Sequence, residues 1–304
     1  MRYFFTCCLC IIVLLASCNS TNTNNNKAVQ DNLHAKGFSV THHNGYTVVE
    51  ISNPWKSNAI LQRFTLVPSS ATLPDSLPDG AVIRTPVKSA LVYSAVHANA
   101  IKELGHLSSI TGVCDAQYFT IPEITSGVAD GTIINAGSSM APVAERIIAL
   151  SPDIVLLSPY QNSGYAEHIP KGIPIVECAD YMESSPLGRA EWIKLFGLLF
   201  NEEQKADSIY SHVVDRYTNM KKLIESEPNR PKILSENIIN GTWYVPGGNS
   251  YMAQMFADAG GSYAWSDVNT TGSIPLDMAQ VLSKAHDADV WLIKSFDPEF
   301  SYSK

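Results

Sequence analysis

Short apolar runs alternate with helical runs from residue 86 to about residue 180, and this alternation limits the fold more than any other feature of the sequence. The predicted strands are residues 89–96, 109–114, 132–137, 153–159 and 173–178. Helical patterns occupy residues 97–105 and residues 141–152. Such alternation is typical of parallel βα units, in which ligand-binding groups lie at the carboxyl ends of the strands.

Two helical segments follow the first α/β region. Residues 186–200 open with Pro186, and residues 201–226, with Asn201 as the expected N-cap, carry apolar residues at helical spacing. The second helix would be about 35 Å long at ~1.5 Å per residue, which is enough to run along a whole lobe.

The strand and helix pattern then resumes. Residues 232–238 and 288–296 are predicted strands, and residues 274–286 are a predicted helix. This second α/β part has about half the elements of the first, so we expect the chain to carry only an incomplete second lobe.

The sequence pattern before residue 86 indicates β-structure. Residues 38–52 alternate between apolar and polar side chains on both sides of Asn44-Gly45, which is a strong hairpin signal. Residues 59–68 add a further predicted strand. Three prolines then make an irregular connector, namely Pro68, Pro74 and Pro78.

The first residues of the chain are typical of a bacterial lipoprotein leader. Arg2 precedes an apolar run of signal-peptide length, which ends in "LLASC" at Cys18. This ending resembles a lipobox, in which the cysteine becomes the lipid-modified first residue; an ordinary cleaved signal is the alternative. Residues 19–32 are polar and nearly uncharged, as expected of a flexible tether.

Charge and cysteine content exclude several classes of function. The net charge of −8 argues against nucleic acid as a partner and against broad docking on anionic lipid. Beyond the leader, only Cys114 and Cys178 remain, and there is no CxxC pair or His/Cys cluster at metal-ligand spacing. We therefore expect no structural zinc; whether the two cysteines pair is left open.

Five stretches, in order over residues 84–296, carry a resemblance to a known family. They are "TPVKSALVYSAVHANAIKELGHLSSITGVCD", "APVAERIIALSPDIVLLSP", "SPLGRAEWIKLFGLLF", "WYVPGGNSYMAQMFADAGG" and "GSIPLDMAQVLSKAHDADVWLI". Together they resemble the substrate-binding proteins of ABC importers, in the class that handles iron complexes, haem and vitamin B12. That family continues beyond the point where this chain stops.

The resemblance implies a class III periplasmic-binding fold, in which two Rossmann-like α/β lobes joined by a long helix enclose a ligand cleft. Which of the two helical segments joins the lobes is left open. The expected parts are a signal peptide (1–17), a tether (18–36), a β-rich extension (37–85), a first lobe (86–180), connecting helices (181–230) and an incomplete second lobe (231–304).

The resemblance also implies partners and cargo. The expected protein is a monomer without an intrinsic cofactor, anchored by lipid in the cell envelope and facing the periplasm or the cell surface. It would deliver an iron complex, either a ferric siderophore or haem, to an ABC permease and its ATPase. Cobalamin or another corrinoid is the alternative cargo, and a surface scavenger or adhesin without a permease is the second alternative.

Ligand contacts are expected from side chains at strand ends. On the first lobe these are Ser94, His97, Asp115, Tyr118, Phe119, Ser138, Ser139, Met140, Tyr160 and Gln161. On the second lobe they are Asn237 and residues 243–250, which include Trp243 and Tyr244, together with Trp265 and Lys294. No residue is expected to bind a metal ion directly, with two exceptions: His97 or Met140 could be an axial ligand to iron or cobalt. The competing interpretations are that His97 caps a helix and that Met140 fills a gap in the core.

The stretch "TWYVPGGNSYMAQMFADAGG" at residues 242–261 is a turn followed by a helix. No lysine follows the glycines, so it is not a phosphate loop. Asn249 or Ser250 is the expected cap of the helix. Trp243 and Tyr244 are predicted walls for a flat ligand, and packing in a lobe core is the competing interpretation.

Two carboxylates are expected to dock the permease, because in this family a glutamate on each lobe pairs with permease arginines. Glu145 stands in the first-lobe position, and Asp258 is the nearest carboxylate to the second-lobe position. Catalysis is not expected, because the sequence has no GxSxG, GxxxxGK[ST] or HExxH motif.

Overall fold

The computed structural model describes residues 32–161 and 165–294, and its first element is a four-stranded sheet. The strands are β1 (Phe38–His43), β2 (Tyr46–Ser52), β3 (Ile60–Pro68) and β4 (Ala81–Thr85). They lie in the order β1-β2-β3-β4, with β3 and β4 parallel and the other pairs antiparallel. Gly45 takes a φ of 87° in the β1–β2 turn, which glycine adopts without strain. The predicted hairpin and the strand at residues 59–68 are confirmed.

A five-stranded parallel sheet forms the first α/β unit. Its elements in chain order are β5 (Ala90–Val92), α1 (Ala95–Glu103), β6 (Ile110–Val113), α2 (Pro122–Asp130), β7 (Ile134–Asn135), β8 (Gly137–Ser138), β9 (Ala141–Pro142), α3 (Ala144–Leu150), β10 (Ile154–Leu157) and β11 (Ile175–Glu177). The strand order is β11-β10-β5-β6-β7, and β8 and β9 form a separate antiparallel pair. The order reverses between β5 and β10, and ligands of open α/β sheets bind beside such a point.

Several details of this unit differ from the prediction. The strand predicted at 132–137 is observed as the shorter β7, and the helix predicted at 141–152 begins only at Ala144, because residues 141–142 form β9. The strand expected at residues 89–96 ends at Val92, because Ser94 caps α1 and accepts a hydrogen bond from the Val96 amide at 3.2 Å. Helix α2 was not predicted. Its sequence contains Thr125, Ser126 and Gly127, which are poor helix formers, and burial of Ile124 stabilises it instead.

The N-terminal sheet and the first unit share one hydrophobic core. Buried residues of the sheet, such as Phe64 and Ile83, belong to the same cluster as Ile101 of α1 and Leu156 of β10. The N-terminal sheet is therefore packed into the first unit and is not a separate appendage.

Two carboxylates fasten the chain that leads into this sheet. The amides of Leu33, His34 and Ala35 donate to the carboxylate of the fully buried Glu191 at 2.7–2.9 Å. The amides of residues 36 and 37 donate in the same way to the carboxylate of Glu183, which also accepts from the Trp192 indole N–H at 2.8 Å. Five consecutive amides are thus satisfied by two side chains of the connecting region.

The connecting region contains three helices. They are α4 (Pro186–Glu191), α5 (Ile193–Phe200) and α6 (Glu203–Leu223). The helix predicted at 186–200 is interrupted at Trp192. Asn201 ends α5 in a left-handed conformation, with a φ of 57°, and is not the N-cap of α6, which is Glu202.

Helix α6 joins the two α/β units. Near its start, Ala206 packs against Gly197 of α5, and near its end the Tyr217 hydroxyl donates to Asp258 of the second unit at 2.8 Å. Its 21 residues span about 31 Å at ~1.5 Å per residue. Only Ala206 and Tyr210 are buried, so most of the predicted apolar stripe stays at least partly accessible to solvent.

The second unit has two small sheets. Its elements are β12 (Lys232–Ser235), β13 (Ile238–Ile239), β14 (Thr242–Pro246), α7 (Tyr251–Asp258), β15 (Ser262–Tyr263), β16 (Ser273–Leu276), α8 (Met278–Ala285) and β17 (Val290–Leu292). The parallel sheet has the order β15-β12-β17, and the antiparallel sheet has the order β13-β14-β16.

The second unit contains its predicted elements, but their bounds differ. The strand predicted at 232–238 ends at Ser235. Residues 273–276 form a strand, and α8 starts only after Asp277, which makes a capping box with Gln280. The strand predicted at 288–296 is observed as β17, and residues 295 and 296 lie outside the described residues. Ser250, one of the two predicted caps, caps α7 by accepting from the Ala253 amide at 3.1 Å.

Candidate functional site

A cavity of about 710 Å³ lies where the two α/β units and the N-terminal sheet meet. Its volume falls within the ~300–1,000 Å³ of small-molecule sites. It opens beside the carboxyl ends of β10 and β11, next to the reversal of strand order. The lining residues are Pro54, Trp55, Ser57, Tyr160, Gln161, Tyr181, Met182, Asn249, Asn269, Thr270, Thr271, Gly272 and Ser273. We call this cavity the cleft.

The first unit contributes the ends of two strands to the cleft. Tyr160 and Gln161 follow β10, and Tyr181 and Met182 follow β11. The Tyr181 hydroxyl donates to the carbonyl of Pro159 at 2.6 Å. Burial, together with the neighbouring Tyr160 and Asp180, raises the pKa of Tyr181 to about 12, so this phenol stays uncharged at neutral pH.

The second unit contributes the loop of residues 269–273, which is held in place by the glycine turn after β14. The amides of Gly247 and Gly248 donate to the carbonyls of Gly272 and Val268, each at 2.9 Å. A Cβ at Gly247 would lie 2.2 Å from the carbonyl oxygen of Thr270, so only glycine allows this approach. The turn therefore shapes the cleft through its backbone.

The cleft is polar but uncharged. Among residues 32–161 and 165–294, its lining contains hydroxyl, amide and aromatic side chains and no Asp, Glu, Lys, Arg or His. Hydroxyls and amides hydrogen-bond neutral oxygen and nitrogen groups, while aromatic faces cover apolar rings. This lining suits a ligand whose contacted surface carries little net charge.

His97 lies in a different place from the cleft. Its ring is 2% exposed, and its Nε2 lies 3.2 Å from Asp180 Oδ1. Arg189 donates to Asp180 Oδ2 at 3.0 Å and lies over the ring of Tyr251, 4.4 Å from its centroid. Burial by itself raises the pKa of Asp180, but His97 and Arg189 outweigh it and hold the pKa below its usual value.

This buried group connects the two units around a smaller, mostly apolar cavity of about 350 Å³. The Tyr251 amide also donates to the backbone carbonyl of Glu183 at 3.1 Å, so α7 of the second unit is fixed to the connecting region at the same place. The prediction of His97 as an axial ligand requires it in the cleft, and its buried position, with Nε2 hydrogen-bonded to Asp180, does not meet that requirement.

Of the predicted first-unit contacts, only Tyr160 and Gln161 line the cleft. Ser94 is a helix cap. His97 belongs to the buried group described above, and the remaining residues form a second group at the ends of β6 and β7, where the Ser139 amide donates to Asp115 at 3.1 Å. In this group Tyr118, Ser138 and Met140 are exposed, whereas Phe119 is buried in the core; none of its members lines the cleft.

The predicted aromatic residues of the second unit are not among the residues that line the cleft. Trp243 and Trp265 are buried in the core of this unit, and the Trp243 indole N–H donates to the carbonyl of Ser235 at 2.9 Å. Tyr244 is 45% exposed on the opposite face of β14 from Trp243 and is not among the residues that line the cleft. Neither Asn237 nor Lys294, which is ion-paired with Glu236, belongs to the lining.

The two predicted docking carboxylates differ. Glu145 is exposed in the first turn of α3, as docking requires. Asp258 is only 12% exposed and is saturated by Lys221 at 2.8 Å, Tyr217 at 2.8 Å and Gln254 at 2.9 Å. A carboxylate with three internal partners acts as a joint between α6 and α7, and this geometry does not favour the docking role predicted for Asp258.

The described residues contain no group of three or more His, Cys, Asp or Glu side chains that could hold a metal ion. Cys114 and Cys178 are both free and buried. Burial raises the pKa of the Cys114 thiol to about 12, which makes it a poor nucleophile.

No helix of residues 32–161 and 165–294 combines the length and apolar character needed to span a membrane. Cys18, the predicted lipidation site, lies outside the described residues.

Sequence reasoning missed most of the cleft. Tyr181 and Met182 follow a predicted strand, so the strand-end rule that selected Tyr160 also applies to them. The polar composition of residues 269–273 is typical of a turn, but nothing in the sequence indicates that this turn packs against the glycines at 247 and 248. No signal in the sequence selected Trp55, because it precedes the α/β region.

Comparison with known proteins agrees with this architecture. A family model described as periplasmic binding protein matches residues 96–300, about two thirds of the chain, so the chain belongs to the periplasmic binding protein family. This is a family of solute-binding proteins. An uncharacterised lipoprotein of Methanocaldococcus jannaschii is 29% identical over 328 aligned residues, which cover 95% of this chain and 78% of that protein.

Two solved structures share the fold. An ABC-type Fe³⁺-hydroxamate transport system from Saccharomonospora viridis has a TM-score of 0.52 at 20% identity, covering 68% of this chain and 74% of that chain. A periplasmic haem-binding protein from Pseudomonas aeruginosa has a TM-score of 0.54 at 16% identity, covering 68% of this chain and 71% of that chain. The predicted fold class, two α/β lobes joined by a long helix, is confirmed.

Proposed function

We propose that this protein is the lipid-anchored substrate-binding component of an ABC importer and that it captures an iron chelate. The observation that carries the proposal is the cleft, a cavity of about 710 Å³ between two α/β units at the carboxyl ends of parallel strands. Side chains from both units line it, so a bound ligand would hold the units together. That is the arrangement a receptor needs to signal its loaded state to a permease.

The cargo class is supported by two independent arguments. Solved proteins of the same fold are described as Fe³⁺-hydroxamate and haem binders. The lining of the cleft is uncharged, so a polyanionic chelate would lack cationic partners there. The chelate would therefore present neutral hydroxamate, amide or porphyrin surfaces to the protein. A corrinoid, which also presents amides around a flat ring, is the second candidate on the same observation.

Delivery to a permease is supported on the first unit by Glu145, which is exposed and positioned to pair with an arginine. We propose that the protein acts as a monomer in the cell envelope, facing a permease and its ATPase. The lipoprotein relative and the "LLASC" ending at Cys18 support anchoring through a lipid.

Titration of the purified protein with three probes tests the proposal. Haem, a ferric trihydroxamate and cobalamin are added separately, and tryptophan fluorescence and the visible spectrum are followed. We expect saturable binding of one probe at one equivalent, without chemical change of the probe. Absence of binding to all three would overturn the cargo assignment, and release of an altered probe would overturn the receptor function.

A paired substitution locates the binding to the cleft. Gln161→Ala, on the cleft wall, should weaken binding of the accepted probe, whereas Gln254→Ala on α7, which lies outside the cleft, should leave it unchanged. Equal affinities of the two variants would place the ligand elsewhere.

A further inference from the structure

The loop between β2 and β3 brings the N-terminal sheet to the cleft. Pro54, Trp55 and Ser57 of this loop line the same cavity as Tyr181 of the first unit and Thr271 of the second. The family match begins only at residue 96, so this loop belongs to a part of the chain outside the matched region. The two-lobe architecture alone therefore does not account for this side of the cleft.

A side-chain clamp fixes the position of the sheet beside the first unit. Gln62, near the start of β3, donates through Nε2 to the carbonyl of Ile175, and its Oε1 accepts from the Glu177 amide at 3.0 Å. Gln62 thus occupies the free edge of β11 as a neighbouring strand would. Because β11 leads directly to Tyr181, the clamp sets the distance between the loop and the cleft wall.

The loop itself has a defined conformation. Asn53 Oδ1 accepts hydrogen bonds from the amides of Trp55 and Lys56, each at 3.0 Å, and the Asn53 amide donates to the carbonyl of Ala59 at 2.8 Å. These bonds close the loop at both ends. Trp55 is consequently held half-buried at the edge of the cavity, and little conformational entropy would be lost when a ligand contacts it.

We propose that the loop of residues 53–59 is a third wall of the ligand cleft, in which Trp55 stacks on the flat, uncharged face of the bound chelate and Ser57 hydrogen-bonds its rim. The inference rests on the proposed function for the identity of the ligand, but the position of the wall does not depend on it. Indole offers the largest aromatic face among the side chains of the cleft, which makes Trp55 the anchor of this wall.

Affinity measurements test the role of Trp55. Trp55→Ala should weaken binding of the probe that the wild-type protein accepts by about tenfold, and Trp55→Phe should retain most of the affinity because it keeps an aromatic face. Tyr46→Ala is the matched control, since Tyr46 lies in the same sheet at the opposite end of β2 and stacks on His43. Equal affinities of Trp55→Ala and Tyr46→Ala would overturn the proposal while leaving the receptor function intact.

A crosslinking experiment tests the wall without any ligand. The double variant Ser57→Cys/Thr271→Cys is treated with a flexible bis-maleimide, and peptide mapping locates the crosslink; each single variant is the control. We expect a crosslink between positions 57 and 271 that abolishes binding of the accepted probe. A double variant that gives no such crosslink would show that the loop does not face the second unit. If the wild-type protein accepts no probe, the proposed cargo fails, and the crosslink alone decides the position of the wall.

Discussion

Both α/β units contain a parallel sheet with helices, but their strands differ in how deeply they are buried. All residues of β5 and β10 in the first unit are buried. One face of these strands enters a core that extends through the N-terminal sheet to α5 and α6, and the other face enters a second, smaller cluster. In the second unit, the three residues of β17 are exposed, Val290 by 45%, Trp291 by 53% and Leu292 by 44%. Its core is a separate and much smaller cluster around Trp243 and Phe256.

The cleft therefore joins two units of unequal rigidity. The first unit carries two sides of the cleft on one core, including the loop of the N-terminal sheet. The second unit carries the remaining side, the 269–273 loop, on a small core that buries less apolar surface. Because local stability follows buried contacts, we expect the second unit to open at lower free energy than the first.

Phe64→Ala should have the largest effect. Phe64 is fully buried where the N-terminal sheet meets the first unit, and truncation leaves a cavity in a core that cannot easily collapse. We expect a loss of about 4–5 kcal/mol in the free energy of unfolding, measured by urea denaturation. Hydrogen exchange should rise in α1 and β10 as well as in β3, since they share the core. Ile60→Ala, on the exposed start of β3, is the control; exchange confined to the N-terminal sheet would contradict a common core.

Trp243→Ala should destabilise the second unit by about 3–4 kcal/mol, because it removes a buried indole and its hydrogen bond to Ser235. The faster hydrogen exchange should stay within residues 232–292 and spare β5 and β10. Tyr244→Ala, next to it on the exposed face of β14, should change stability by less than about 1 kcal/mol. The same exchange pattern in both units would show that they unfold together and would remove the contrast.

Glu191→Gln should have an intermediate effect that depends on pH. Burial by itself raises the pKa of Glu191, but the amides of Ala35, Leu33 and His34, with Lys194, lower it below its usual value of 4.5. A depressed pKa in the folded state means that the ionised form stabilises the fold above pH ~4.5 and that this contribution is lost as pH falls through the folded pKa.

At pH 7 we expect Glu191→Gln to cost about 2–3 kcal/mol, because three charge-assisted hydrogen bonds become neutral or are lost. Below pH 4 the difference from the wild-type protein should shrink. Denaturation curves from pH 3 to 7 measure it, with the exposed Glu203→Gln as control. A penalty that does not change with pH would show that Glu191 acts only by its shape.

Lys221→Ala should have the smallest effect. Lys221 pairs with Asp258 at 2.8 Å across the joint between α6 and the second unit, but it is half exposed. Partly exposed pairs contribute about 0.5–1 kcal/mol, and added salt should reduce the difference. The neighbouring Lys222→Ala should have no measurable effect. A loss above 2 kcal/mol would mean that this ion pair, and not packing, holds the second unit to α6.

The order of strands and helices could be predicted because buried parallel strands read as short apolar runs between helical segments. The failures have particular causes. Trp243 and Tyr244 were expected to act together, yet adjacent residues of a strand point to opposite faces, so one entered the core and the other faced solvent. Helix α2 was missed because its composition opposes a helix that tertiary packing stabilises.

The candidate site shows the limit of prediction more clearly. Tyr160 was found because strand-end position is a local property of the sequence. The glycines at 247 and 248 were recognised as a turn, but their close approach to Thr270 and Ser266 is visible only in the folded chain. Asp258 looked like a free surface carboxylate until α6 supplied its partners.

The parallel α/β class, the N-terminal hairpin and most of the helices follow from local patterns, because periodicity and capping report which side chains each element can bury. The meeting of Trp55, Tyr181 and Thr271 at one cavity is visible only in the folded chain. These residues come from three parts of the chain, and their meeting depends on how whole sheets pack through Gln62, Gly247 and α6. No local pattern encodes such contacts, because each of these residues would suit its own element equally well without the others.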